Sequence, residues 1–556
     1  MRRSPWAVAG WTAAVALPLA FLVVFFLWPV VSLIATGFWE DGELDLGGIP
    51  EVFGAPRTWR VIGNTLAQAG LATGCSMLLG VPAAYVLYRL RFRGQRVLRG
   101  ILTVPFVLPT VVVGVAFSAL LGPGGPLEWL GLDRTLTIVV LALTFPNIAV
   151  VARMVGGFWA RLDDRPERVA RSLGAGRFAA WRTVVLPALA PALASAAALV
   201  FLFCSTAFGI VLVLGGSAYS NVETEIYRLT VHYLDLRGAA VLSLAQFAIV
   251  GVTLVVSARL RRAGERAVEL REEDEATSRR PRPADIPMFA LFGATLLLLH
   301  ALPIAALVAR SLQIHGGGWG IDNYAALVSP PDTIRLDEPV TAAIGLSLRM
   351  AVAAAVIAMV LGVLLALVLS RRPRHRALRR GIALLDGAVM LPLGVSAVTL
   401  GFGLLITMHR PLGIGFDLRS SAVLIPIAQA LVALPLVVRV LLPVLRGIDP
   451  QLHFAAASLG ARPLAVLLTV DLPMLGRSVG LALGFAFAVS LGEFGATSFL
   501  VRPELQTLPV VVARLIADQS PGSYGAGLAA AVVLGVLTAG VMLVAERLRS
   551  DQRAEF

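Results

Sequence analysis

Ser172-Leu173-Gly174, followed by Leu186-Pro187, returns in the second half of the chain as Ser458-Leu459-Gly460, followed by Leu472-Pro473. In both copies the proline lies 13 residues after the glycine, and the copies stand 286 residues apart. Each copy sits in an arginine-rich stretch between long apolar runs. Two polar loops of equal internal length imply two matching encounters with one kind of partner, so the chain reads as a duplicated membrane protein with two docking loops.

Composition supports the membrane. Of 556 residues, 57% are hydrophobic and only 15% charged, with a mean hydropathy of +0.82; soluble domains are nearer one quarter charged. A net charge of +13 could suggest nucleic acid. The chain has no lysine, however, and its arginines gather at the ends of apolar runs, as membrane topology requires. No nucleic-acid partner is expected. Cys75 and Cys204 lie within apolar runs, with no second Cys or His at metal-ligand spacing, and read as packing thiols.

Apolar runs of about 20 residues, the length that crosses the hydrocarbon core, recur near 11–37, 64–88, 100–121, 134–155, 185–214, 239–258, 287–312, 344–370, 382–408, 421–445, 474–499 and 524–546. These predict an all-α membrane protein of twelve transmembrane helices in two parallel six-helix repeats. The first run, after Arg2 and Arg3, is too long for a signal peptide and reads as a retained helix. The first domain spans 1–258, with its docking loop at about 160–187. A charged linker covers 259–286, with Glu272-Glu273-Asp274-Glu275 and Arg279-Arg280-Pro281-Arg282-Pro283, and the second domain spans 287–556, with its docking loop at about 446–473.

The arginines set the orientation. With the N-terminus inside, Arg89, Arg91, Arg93, Arg96 and Arg99 face the cytoplasm, as do Arg161, Arg165, Arg168, Arg171, Arg177 and Arg182. Arg371, Arg372, Arg374, Arg376, Arg379 and Arg380 repeat the bias. Glu40, Asp41, Glu43, Asp45 and Gly316-Gly317-Gly318 fall outside. Both docking loops and the tail Glu546-Arg547-Leu548-Arg549 are then cytoplasmic. Further pairs keep this order and side: Leu79-Gly80-Val81 with Leu361-Gly362-Val363, Leu108-Pro109 with Leu391-Pro392, and Phe208-Gly209 with Phe494-Gly495. Parallel repeats enclose a central path.

Within the first loop Ala170, Leu173, Phe178, Trp181 and Val184 have helical spacing interrupted at Gly174, which reads as helix, turn, helix. Small residues before the turn, Ala170 in one copy and Ala455, Ala456 and Ala457 in the other, would let a short helix sit closely in another protein's groove. A leucine-proline pair suits the first turn of the next membrane helix. An amphipathic connector lying on the membrane surface would also suit a single loop; duplication at identical spacing favours docking.

At these residues the chain resembles the membrane subunits of ATP-binding-cassette (ABC) importers of the binding-protein-dependent type. Their signature is Glu-Ala-Ala, a glycine four residues on, and a later Leu-Pro. Arg168-Val169-Ala170 and Phe454-Ala455-Ala456 occupy the Glu-Ala-Ala positions, so the acid is absent from both copies, and Glu167 lies one residue early in the first. The resemblance implies the type I ABC importer permease fold and ATPase docking through Ala170, Ser172, Leu173, Gly174, Leu186 and Pro187, and through Ala455, Ala456, Ser458, Leu459, Gly460, Leu472 and Pro473. It implies as partners two copies of an ABC ATPase subunit, one extracytoplasmic binding protein and membrane lipid, in the bacterial inner membrane. Two permease domains in one chain are similar to the thiamine and ferric-iron importers. Likeness to the thiamine type is closest around Phe208, Leu214-Gly215-Gly216 and Val222-Glu223-Thr224-Glu225-Ile226-Tyr227, while Ser490-Leu491-Gly492-Glu493-Phe494-Gly495 and Thr507-Leu508-Pro509 suit both types.

No catalytic constellation is legible. A phosphate-binding loop needs a lysine that the chain lacks, so no cofactor is expected on this chain and ATP is used by partner subunits. His232, His300, His315, His375, His409 and His453 are scattered, and read as surface or interface residues. Ser205, Thr206, Glu225, Ser490 and Glu493 are the candidates for bordering the translocation path. An ion-coupled secondary transporter is the rival reading, with Asp386 and Glu493 as its main candidate relay groups.

Overall fold

In the computed structural model the described residues are 5–40, 43–264, 279–314, 317–331, 333–334, 336, 338–371, 375–413, 415–518 and 520–550. Arg2, Arg3, Asp41, Glu272-Glu273-Asp274-Glu275, His315, Gly316, Arg372 and Arg374 lie outside them. Among the described residues the only strands are one short antiparallel pair, Trp39–Glu40 with Glu43–Leu44, beside three isolated bridges; the rest is helix and the turns and loops between helices. Nine of their helices are long and apolar enough to span a bilayer, or up to twelve when each of three bent pairs counts as one span.

Two apolar runs that read as single spans are in fact sharply broken. Gln95–Val107 and Thr110–Leu121 meet at 101°, and Arg376–Pro392 and Ala397–Thr407 at 94°. In the first, Pro109 drives Leu108 out of the helical region to φ −62°, ψ 136°, because proline's ring excludes that conformation for the residue before it. In the second, Pro392 stays inside its helix and the break falls at Val395-Ser396, where the Ser396 hydroxyl accepts from the Val398 N–H at 3.1 Å. The Leu-Pro pairs that match in sequence thus do different work. The runs near 185–214 and 474–499 also stop early, at Ser205 and Gly492, before short helices Gly209–Leu214 and Thr497–Leu500.

By packing, the chain forms two compact units that are interleaved in sequence: Ile49–Glu225 with Leu242–Gly320, and Met1–Gly48 with Ile226–Val241 and Ile321–Phe556. In the former, Pro56–Arg89, Leu136–Ala160 and Leu186–Ser205 build the core, and Phe292, Leu299 and Ala306 from the helical segment after the linker join it. In the latter, Val340–Leu369, Leu424–Arg446 and Leu472–Gly492 do the same, joined by Leu22 and Phe26 from the first helical segment. Division by packing therefore differs from division by repeat: each repeat's leading helix packs with the other repeat's core.

The repeat is visible where core helices cross. A Cβ on Gly80 would lie 2.6 Å from the Val151 Cβ, and one on Gly362 2.5 Å from the Val437 Cγ1, so each glycine permits a close approach of two helices. Gly74, by contrast, has nothing within 4 Å. Gly80→Leu and Gly362→Leu are each expected to lose about 1–3 kcal/mol through overpacking, read as a lowered unfolding midpoint in detergent. Gly74→Ala is the control, and equal midpoints would remove the close-crossing argument.

Candidate functional site

Both docking loops fold as the glycine pattern requires. The first carries the helix Arg165–Ser172, opened by Asp163, whose Oδ1 accepts from the Arg165 N–H at 3.0 Å, with proline in the first turn. The second carries Pro450–Ser458, opened in the same way by Asp449, which accepts from the Gln451 N–H at 2.9 Å. Each helix ends in a left-handed glycine, Gly174 at φ +94° and Gly460 at φ +80°. The Ala175 N–H reaches the Ala170 carbonyl and the Gly174 N–H that of Arg171, both at 3.1 Å. Ala461 to Ala456 and Gly460 to Ala457, both at 3.0 Å, reproduce the pair. These are Schellman closures, which satisfy carbonyls left bare at a helix end.

Beyond each turn the chain enters the membrane helix through a π-helical turn, Trp181–Val185 or Leu467–Asp471, directly before Leu186-Pro187 or Leu472-Pro473. Proline supplies no N–H and its ring crowds the carbonyl one turn back, and the wider π turn relieves both.

The faces of these helices are apolar and open. Leu173 is 82% exposed and Leu459 89%, the largest values for large hydrophobic side chains among the described residues, and Phe178 and Phe454 in the same loops are exposed as well. Around the first turn Arg168, Arg171 and Arg177 line a shallow notch of about 460 Å³. Ala170, Ala455 and Ala456 lie on the docking helices, Ser172 and Ser458 end them, and Leu186, Pro187, Leu472 and Pro473 open the membrane helices. In each copy, then, the loop residues read from the sequence fall on a short helix, its closing turn and the first turn of the following membrane helix.

Of the residues expected along a path, Ser205, Glu225, Ser490 and Glu493 are buried and Thr206 is partly buried. Ser205 is fully buried, its hydroxyl donating to the Leu202 carbonyl at 3.0 Å, and Thr206 donates to the same carbonyl at 3.0 Å. Glu225 takes a two-pronged ion pair from Arg57, Nε to Oε1 at 2.7 Å and Nη2 to Oε2 at 3.1 Å. Glu493 accepts from the backbone N–H groups of Ala496 at 2.7 Å and Thr497 at 3.0 Å, capping a short helix. Ser490 is fully buried, and its hydroxyl has no hydrogen-bond partner among the described residues.

The segment Leu214-Gly215-Gly216 to Tyr227 leads into the helix Val222–Val231, and its start is stitched to Pro56–Arg89. Asn64 donates to the carbonyls of Ala218 and Ser220 at 3.0 and 3.1 Å, and Gln68 to that of Tyr219 at 2.7 Å. His300 departs from the surface reading: it is 3% exposed and stacks on Phe145 with ring centroids 5.0 Å apart. Sequence reading missed Arg57 as the Glu225 partner, and it missed the cluster of Arg371, His453 and Asp471 beside the second docking helix. The available signal was Asp471 itself, a lone acid in an apolar run just before Leu472-Pro473.

Long apolar helices with two matching helix–turn–helix loops define a membrane protein built of two repeats. Residues 76–268, which include the first docking loop, match the family described as binding-protein-dependent transport system inner membrane component. The chain is 30% identical over 220 residues to the sulfate transport system permease protein CysT of Escherichia coli K12, covering 38% of this chain and 78% of that protein. It is 28% identical over 518 residues to the thiamine transport system permease protein ThiP of Brucella abortus strain 2308, covering 90% and 89% of the two chains. With the protein of that name from Escherichia coli K12 it shares 27% over 571 residues, covering 98% of each. The chain belongs to the binding-protein-dependent inner membrane components: it is a multi-pass ABC importer permease.

Gly174 tests the turn directly. Gly174→Val forces a β-branched residue to positive φ at a cost of about 1–2 kcal/mol. Amide hydrogen exchange across Arg165–Ser172 should therefore quicken about tenfold, with Gly174→Asn close to wild type. Equal protection in the valine variant would contradict the Schellman assignment.

Proposed function

We propose that this chain passes thiamine from one extracytoplasmic binding protein across the inner membrane. Two copies of an ATPase subunit drive it, each seated on one cytoplasmic docking loop. The observation that carries the docking half is the pair of Schellman-closed helices 286 residues apart, each presenting an exposed leucine at the turn. An isolated exposed leucine is ordinary. Two of them, at equivalent positions in loops that each expose a phenylalanine as well, mark apolar faces that a partner covers.

Thiamine as the solute is supported by likeness to proteins named as thiamine permeases along nearly the whole of both chains. It fits the buried carboxylates of Glu225 and Glu493 as groups able to meet a cation. The arginine bias of the loops supports an orientation with both termini and both docking helices in the cytoplasm.

Leu173→Asp and Leu459→Asp place a charge in the covered apolar face. Each should reduce copurification of the ATPase subunit by about tenfold or more, on the scale of a lost interface anchor, while leaving the permease in the membrane. Undiminished copurification in both variants would refute docking through these faces. Cells lacking the chain should lose uptake of labelled thiamine and keep uptake of ferric iron. The reverse pattern would transfer the assignment to iron.

A further inference from the structure

The two docking loops are alike in backbone but not in how they are fastened. In the second, His453 Nε2 lies 2.8 Å from Asp471 Oδ1, and Arg371 Nη2 donates to Asp471 Oδ2 at 2.9 Å. Asp471 is 3% exposed. His453 belongs to the docking helix Pro450–Ser458, Arg371 follows the end of Val340–Leu369, and Asp471 closes the π turn that opens Leu472–Gly492. One buried carboxylate therefore joins a docking helix to the ends of two core helices.

The first loop lacks this joint. Val185 stands where the second has Asp471 and Glu167 where it has His453, both at the 286-residue offset. Glu167 and Asp164 are instead charge neighbours of Arg89, which ends Pro56–Arg89, and the π turn of that loop closes on a buried valine.

We propose that His453 and Asp471 are positioning residues that transmit movement of the second docking helix to Val340–Leu369 and Leu472–Gly492. This rests on the reading of Pro450–Ser458 as an ATPase-docking helix. The physical ground is the expense of separating a buried carboxylate from its donors. If the docking helix is displaced, either Asp471 and the helix ends move with it or a charge-assisted hydrogen bond is broken inside the protein. Apolar packing around Val185 has no such directional restraint and yields more gradually.

The test uses the full chain reconstituted in liposomes with its ATPase and binding protein, reading both labelled thiamine taken up per ATP hydrolysed and ATPase copurification. His453→Phe removes the link on the docking helix and leaves the Arg371–Asp471 pair in place. His453→Gln keeps a donor in the position of Nε2. The expected result is unchanged copurification in both, a drop of about fivefold or more in thiamine per ATP for His453→Phe, the lower end of ordinary coupling energies, and recovery to near wild type for His453→Gln. A wild-type ratio in His453→Phe overturns the proposal. So does a glutamine variant no better than phenylalanine, or loss of the ATPase from His453→Phe, which would make the contact part of the seat rather than the transmission. A wild-type chain that binds no ATPase removes the functional reading itself and this proposal with it.

Discussion

A backbone donor or acceptor facing hydrocarbon has no water to turn to, and this constraint governs how the chain uses its prolines. Each proline in a spanning helix deletes one N–H and crowds a carbonyl one turn back. Four π-helical stretches, Val23–Leu27, Trp181–Val185, Thr295–Ala301 and Leu467–Asp471, each end immediately before a residue-proline pair. Widening the turn accommodates the ring without ending the helix, so a long span survives with a local irregularity at a set place. Two of the four fall in the leading helical segments of the repeats and two between the docking helices and the membrane helices that follow them. The second pair lies where a docking helix hands over to the membrane, and there the wider turn also sets which side chains point back at the docking helix. Asp471 is one of them.

The features legible in the sequence are those that local chemistry dictates. A glycine after a short amphipathic stretch, followed at fixed distance by Leu-Pro, describes a helix, a left-handed turn and a new helix without reference to anything remote. Gly174 and Gly460 behave accordingly. Features that depend on distant residues were not legible. The run at 100–121 has the length and apolarity of one span, and composition does not reveal that Pro109 turns it through 101° while Pro392 leaves its own helix intact. Nor does a periodic pattern say which core a helix joins, so the placement of Phe26 with second-repeat residues and Phe292 with first-repeat residues emerges only from packing.

The acids expected along a path illustrate a second limit. A sequence shows that Glu225 and Glu493 stand near the ends of apolar runs, but not what they are bonded to. Glu225 is held by both nitrogens of an arginine fork and Glu493 by two backbone N–H groups. Each carboxylate is thereby satisfied without a solute, as a buried acid must be. If either group is to meet a passing cation, the exchange takes the form of one set of donors released as the solute arrives, so that the charge is never left bare. The capping role of Glu493 makes this coupling concrete, because withdrawing its carboxylate uncaps Thr497–Leu500.

Joining two repeats in one polypeptide is what permits these differences. In an assembly of two identical chains, any acid introduced at one position appears at its symmetry mate, and two carboxylates facing a common axis repel each other. Here Phe208-Gly209 and Phe494-Gly495 correspond, which places Ala207 opposite Glu493 in the alignment of the repeats, just as Val185 corresponds to Asp471 and Glu167 to His453. One half can therefore hold a buried acid while the other holds an apolar side chain, and the desolvation cost is incurred once rather than twice. The same freedom shows on the docking faces, where Arg168, Arg171 and Arg177 surround the first turn while Phe454, Ala457 and Pro463 take the equivalent places in the second. What stays constant between the halves is the backbone of the turn and its exposed leucine, the part that a repeated partner would require. What varies is the attachment behind it, where only this chain's own helices impose a requirement.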